Sequence, residues 1–180
     1  IKSMDTEGRV IYCGSYSKVL SPGMRLGYCI GAKDIINRMV VCKQVSDVHT
    51  NLYFQMLVAH YLEECDLDAH IAEICDNNRV KRDAMIAACE KYFDPRVTFT
   101  RPNGGLFIWA ELPEGYDSFK LCKMISAKKV ACVPGNAFLS DDEGISNGFR
   151  MNFSLPSVEQ IETAIQRVGE TITEFFAAEG

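Results

Sequence analysis

Apolar residues along the chain fall into two kinds of run. Short blocks bounded by glycine or proline, Val10-Ile-Tyr-Cys13 and Gly27-Tyr-Cys-Ile-Gly31, have the length and flanks of buried strands. Longer stretches repeat at helical spacing. Ile35, Ile36, Met39, Val40 and Val45 predict a helix that starts at Asp34, placed as its N-cap, and ends near Asp47. A second helix is predicted over Leu52 to Glu64. A third runs from about Leu67 to Tyr92, with Ile71, Ile74, Met85, Ile86 and Cys89 on its apolar face. Asp94-Pro95 stops it, and the pattern then shortens again. Strands are predicted at Val97 to Thr100 and Leu106 to Ala110, around the turn Pro102-Asn-Gly-Gly105. A helix over about Asp117 to Lys128, a strand at Val130 to Val133, a loop at Pro134-Gly135 and a strand at Gly148 to Ser154 follow. The last helix carries the clearest signal: Ser157 and Gln160 have the spacing of a capping box, and Ile161, Ala164, Ile165, Val168, Ile172 and Phe175 form one stripe. The expected class is α/β, and no internal repeat or low-complexity tract interrupts it.

Composition narrows the function classes. With 47% hydrophobic and 24% charged residues among 180, the chain has enough apolar side chains to offset chain entropy and build a core. No apolar run approaches the roughly 20 residues of a membrane helix, so neither a membrane span nor a leader is expected and a cytoplasmic protein is. The net charge of −5 and the dispersed basic residues argue against a nucleic-acid surface. Eight cysteines lie scattered, with no C-x-x-C and no zinc-type His pairing. They read as reduced core residues, and no metal site is expected.

Chemistry concentrates in Ser15-Tyr-Ser-Lys18-Val-Leu-Ser-Pro-Gly-Met-Arg25-Leu-Gly-Tyr28. A lysine in a small-residue loop directly after a strand can serve as an amine nucleophile that forms a Schiff base with an aldehyde. Ser15 and Ser17 offer hydroxyls and Arg25 a charged fork, a set suited to phosphate. Pro22 and Gly23 turn the chain so that Arg25 doubles back. An ordinary solvated loop lysine is the alternative reading of these residues alone.

The block Gly-Ser-Tyr-Ser-Lys-x-x-x-Pro-Gly-x-Arg-x-Gly-Tyr resembles the pyridoxal-phosphate lysine signature of the class I/II aminotransferases of fold type I. The resemblance extends through Gln44 to Gln55, Pro102 to Trp109, Val133 to Phe138 and Phe149 to Ser154, which look like the aminoadipate, kynurenine and branched-chain or aromatic subgroup. It implies the end of a large cofactor-binding domain over residues 1–66, a connecting helix over 67–92 and a small C-terminal α/β domain over 93–180. It implies pyridoxal 5'-phosphate on Lys18, with Ser15, Ser17 and Arg25 at the phosphate, and Arg150 at the α-carboxylate of the substrate. Gly104, Gly105 and Phe107 resemble the substrate-side loop, with an ordinary hairpin turn as the alternative; Asn136 and Phe138 line the same cleft on this reading. His49, Thr50 and Asn51 would approach a partner subunit, unless Thr50 or Asn51 simply caps a helix. Tyr16 and Tyr28 are expected to pack, and His60 and His70 carry no assigned chemistry.

The implied reaction is amino transfer between an amino acid and a 2-oxo acid in a homodimer. Family members are about twice as long, and the acid at the pyridine nitrogen, the stacking ring and the groups at the phenolic oxygen have no counterpart before Lys18. The expectation is therefore a C-terminal portion that is inactive alone and prone to self-association through an uncovered face. Two other parents share the lysine block: an aminotransferase-like sensor domain of a transcription regulator, and a fold type I lyase or decarboxylase.

Overall fold

The computed structural model describes residues 1–140 and 144–179. It divides into two compact units, Ile1–Ile74 and Cys75–Gly180, and the division falls inside a helix.

In the first unit, Asp5 gathers Lys2 Nζ at 2.8 Å and the N–H groups of Arg9 and Val10 at 3.0 and 3.1 Å. The Lys2 hydrogen bond leads in holding the Asp5 carboxyl well below the usual carboxylate range. Strands β1 (Tyr12–Ser15) and β2 (Gly27–Ile30) pair antiparallel, with Tyr12 opposite Ile30 and Ser15 opposite Gly27. Helices α1 (Lys33–Ser46) and α2 (Leu52–Glu64) follow. Asp34 does not cap α1: Ala32 holds the N-cap position, and Asp34 lies in the first turn, where its charge faces the positive end of the helix dipole. Asn51 caps α2, its side chain accepting from the Phe54 N–H at 3.3 Å. Tyr16 and Tyr28 pack as expected, their ring centroids 5.3 Å apart. Gly14 makes room for this, since a Cβ there would lie 2.2 Å from the Tyr28 ring.

Helix α3 (Leu67–Tyr92) spans the division. Beyond it, β3 (Thr98–Phe99), β4 (Phe107–Glu111), β5 (Val133–Pro134) and β6 (Gly148–Asn152) form an antiparallel sheet in the order β3-β4-β6-β5. Alternation along β4 and β6 turns Ile108, Ala110, Phe149 and Met151 inward, where they meet the end of α3, α4 (Ser118–Ala127) and α5 (Val158–Glu179) in one core. Phe107, Trp109, Arg150 and Asn152 take the other face of those two strands. The apolar stripe of α5 is buried as predicted, except that Ala164 is half-buried beside a cavity.

All eight cysteines are free, but the expectation that they lie in the core fails for most of them. Cys13, Cys29, Cys42 and Cys65 are exposed because the elements of the first unit bury little, and Cys75, at the start of the second unit, is exposed on α3. Cys89 and Cys122 are buried, and that burial pushes their thiols up to about 12, so they are inert packing groups. Among the described residues no helix is long and apolar enough to cross a membrane, and no cluster of metal-ligating side chains occurs.

Candidate active site

The lysine loop is the connection of the β1–β2 hairpin. Its base is closed by the Tyr16 N–H donating to the Leu26 carbonyl at 3.1 Å, which extends the strand ladder by one rung. Its first half turns where the N–H groups of Leu20 and Ser21 both donate to the Tyr16 carbonyl, at 2.8 and 3.2 Å. Its second half is a single 3-10 turn, Pro22–Met24, with proline supplying the first helical φ. Arg25 ends that turn in the left-handed region, φ 53° and ψ 42°, and its N–H donates to Pro22 O at 3.4 Å. Pro22 and Gly23 thus form the turn that the sequence predicts before Arg25.

Within this loop, the Ser17 N–H donates to Ser15 Oγ at 3.2 Å, which draws the two serines to one turn. The Arg25 guanidinium gives one bond, at 3.2 Å to Pro22 O. Its other N–H donors have no acceptor among the described residues. Lys18 is exposed, as are Ser15 and Arg25, while Ser17 is half-buried. Ser15 at the end of β1, with Ser17, Lys18 and Arg25 on the closed eleven-residue loop Tyr16 to Leu26, offers the amine, two hydroxyls and arginine fork that suit a phosphorylated aldehyde. The residues present therefore fit pyridoxal phosphate.

Arg150 stands apart from that loop in the sequence and belongs to the second unit. It lies in the interior strand β6, opposite Trp109 on one side and Val133 on the other. Its guanidinium carbon sits 4.0 Å from the Phe107 ring centroid and 4.8 Å from that of Phe138. The ion pairs among the described residues of this unit do not include it. Arg150 is therefore an interior-strand arginine with two aromatic rings beside its guanidinium. Sequence inspection placed Phe107 and Phe138 near the cleft but missed their stacking on Arg150. The signal was there in the pleat: residues on one face of β4 and β6 recur every second position.

Gly104 and Gly105 form the exposed β3–β4 turn, and neither would bring a Cβ within 4 Å of a neighbour. Only Gly105, at φ +82°, needs to be glycine for backbone reasons. Asn136 lies in the short turn before Phe138, its Oδ1 buried without a hydrogen-bond partner among the described residues. A cavity of about 710 Å³ lies between Lys129–Cys132, Asn152–Pro156 and the first turns of α5. None of the sequence-predicted site residues lines it.

The chain thus carries a hairpin loop presenting a lysine and, in its second unit, an antiparallel sheet presenting an arginine, on a mixed α/β framework. The model of the family described as "Aminotransferase class I and II" matches residues 1–168, and the chain belongs to that family. It is 41% identical over 174 residues to an aromatic-amino-acid aminotransferase of Thermococcus litoralis, covering 97% of this chain and 42% of the relative. The solved multiple substrate aminotransferase of Thermococcus profundus superposes with a TM-score of 0.92 at 38% identity, over 98% of this chain and 44% of that one. A kynurenine aminotransferase of Pyrococcus horikoshii, solved in complex with PMP, gives 0.89 at 41% identity over 96% and 43%. The chain thus spans less than half the length of the relatives it matches.

Proposed function

We propose that this chain is the C-terminal portion of a homodimeric, cytoplasmic, pyridoxal-phosphate-dependent aminotransferase that moves an amino group between an amino acid and a 2-oxo acid. The observation that carries the reading is the closed hairpin connection after β1, which carries exposed Lys18, holds Ser15 and Ser17 in one turn, and leaves Arg25 with most of its donors open among the described residues. Family membership and the PMP named with the Pyrococcus relative support it.

When bound, pyridoxal phosphate supplies an aldehyde for the amine and a ring that spreads the electron pair released at the substrate Cα. Ser15 and Ser17 donate hydroxyl hydrogens to the phosphate, and Arg25 adds charge and directional N–H bonds. Lys18 Nζ would hold the cofactor through its amine and, when free, would serve as the base that takes the proton from the substrate Cα. Arg150 would receive the substrate α-carboxylate on the edge of its guanidinium. The remaining length of the relatives would supply the other cofactor contacts, so the 180-residue chain alone binds the cofactor weakly and turns over no substrate.

Borohydride reduction of the full-length protein with pyridoxal phosphate, followed by peptide mapping, is expected to place the label on Lys18. Label on another lysine would overturn the assignment. Loss of amino transfer from donor amino acids to 2-oxoglutarate in Lys18→Ala, with the reaction present in the parent, tests the reaction class against the lyase and regulator readings.

A further inference from the structure

We infer that Phe107 and Phe138 are positioning residues that clamp Arg150 between their rings and aim its guanidinium edge at the carboxylate of an amino-acid substrate. This rests on the reading of Arg150 given above and extends it to the two rings beside it.

The rings reach Arg150 from separate elements. Phe107 stands on β4 opposite Asn152, which makes it the diagonal neighbour of Arg150 on the same sheet face. Phe138 ends the short turn Gly135–Phe138, and that turn is fixed at its other end. The Gly135 N–H donates to the buried Ser118 Oγ at 3.3 Å. A Cβ on Gly135 would meet Ser146 Oγ at 2.2 Å and the Gly148 carbonyl oxygen at 2.6 Å, so the turn is seated against the start of β6. Phe138 also leans edge-on against Trp109, centroids 5.8 Å apart at 71°. Trp109 is held in turn by its Nε1–H donating to Glu111 Oε1 at 2.9 Å, and lies so close over Gly148 that a Cβ there would be 2.2 Å from the ring.

Burial does not account for the two phenylalanines, which are 37% and 50% exposed. Their position does. Arginine loses much rotamer freedom when it binds, and two rings at 4.0 and 4.8 Å from its guanidinium carbon restrict it beforehand. Stacking uses the faces of the guanidinium and leaves its in-plane N–H donors for a planar, bidentate acceptor.

The test uses the full-length holoenzyme and two probes read by calorimetry: 3-phenylpropanoate, and 3-phenylpropan-1-ol, which lacks the carboxylate. Phe107→Leu and Phe138→Leu keep apolar bulk and remove the π face. Each is expected to weaken the carboxylate about threefold to tenfold, the double variant more, with the alcohol unchanged. Phe138→Tyr keeps the carboxylate affinity of the parent, whereas in the leucine variants the KM of the amino donor rises while kcat stays within about twofold. If both leucine variants bind the carboxylate like the parent while Arg150→Ala loses it, the clamp is overturned and the carboxylate reading stands. Equal weakening of both probes also overturns the clamp, because the rings then contact ligand directly. Undiminished carboxylate binding by Arg150→Ala overturns the reading of Arg150 and the clamp with it.

Discussion

Arg25 pays a backbone penalty for its place: a left-handed conformation costs an L-residue roughly 1–2 kcal/mol, yet the loop holds an arginine there. A glycine would relieve that strain and delete the guanidinium, so Arg25→Gly separates folding from ligand binding. The variant is expected to be as stable as the parent, or more stable by up to about 1 kcal/mol. Its affinity for pyridoxal phosphate should fall about tenfold or more, since a charge-assisted bond is lost, while pyridoxal without the phosphate binds as before. Absorbance titration with the two aldehydes checks this. At Asp94, three bonds of 2.9 Å from the Arg96 backbone and guanidinium draw the carboxyl down to about 2 from 3.8, the Arg96 side-chain bond contributing most. A depressed carboxylate stabilises the fold above its unfolded value and loses that contribution as pH falls toward the folded one. The midpoint of urea unfolding should therefore decline between about pH 4 and pH 2, and Asp94→Asn should flatten part of that decline; the group is exposed enough that the effect is small.

Helix α5 is specified at its start and in its middle by different forces. At the start, the Ser157 N–H donates to Gln160 Oε1 at 2.9 Å and the Gln160 N–H to Ser157 Oγ at 3.2 Å, both arms of the predicted capping box. Ser157→Ala should cost about 1 kcal/mol in chemical denaturation. In the middle, Gly169 faces the carbonyl oxygen of Tyr92, and a Cβ there would sit 2.2 Å from it. Alanine gains about 1 kcal/mol of helix propensity, but forcing backbone apart costs about 1–3 kcal/mol, so Gly169→Ala is expected to destabilise despite the better helix former. These contrasts show what was legible. Helices α2 and α3 match the predicted bounds, because a long apolar period marks them, and the lysine loop was readable because its chemistry is local in sequence. Strands drifted. Val10 to Cys13 became Tyr12–Ser15, since the Tyr16–Leu26 rung, and not apolar content, sets the hairpin register. Val130 to Val133 became Val133–Pro134, because Lys129 adopts φ 61° and the following residues line the cavity beside β6 before pairing begins. The rings around Arg150 were illegible for the same reason: their register depends on which strands pair.

Apolar burial is divided unevenly across the molecule. Among the described residues up to Ile74, Leu26 and Val58 are the buried hydrophobic ones, whereas the second unit encloses a continuous core from Met85 to Phe176. The spacing along α1 and α2 is that of packed helices, yet Val40, Val41, Val45, Tyr53, Met56 and Leu57 are exposed at 43% or more. Few buried contacts mean low local stability, so amides of α1 and α2 should exchange with solvent far sooner than those of α5. An exposed apolar face of this kind also drives association, and a net charge of −5 is too small to oppose contact at close range in ordinary salt. The 180-residue chain alone is expected to elute above its monomer mass, to enhance the fluorescence of a hydrophobic dye, and to do less of both when Met56 and Leu57 are replaced by lysine. Hydrogen exchange and light scattering on the same sample decide the matter. A monodisperse monomer with α1 and α2 protected as well as α5 would mean that the first unit is stabilised by something other than buried apolar area, and would remove the case for a missing cover over those helices.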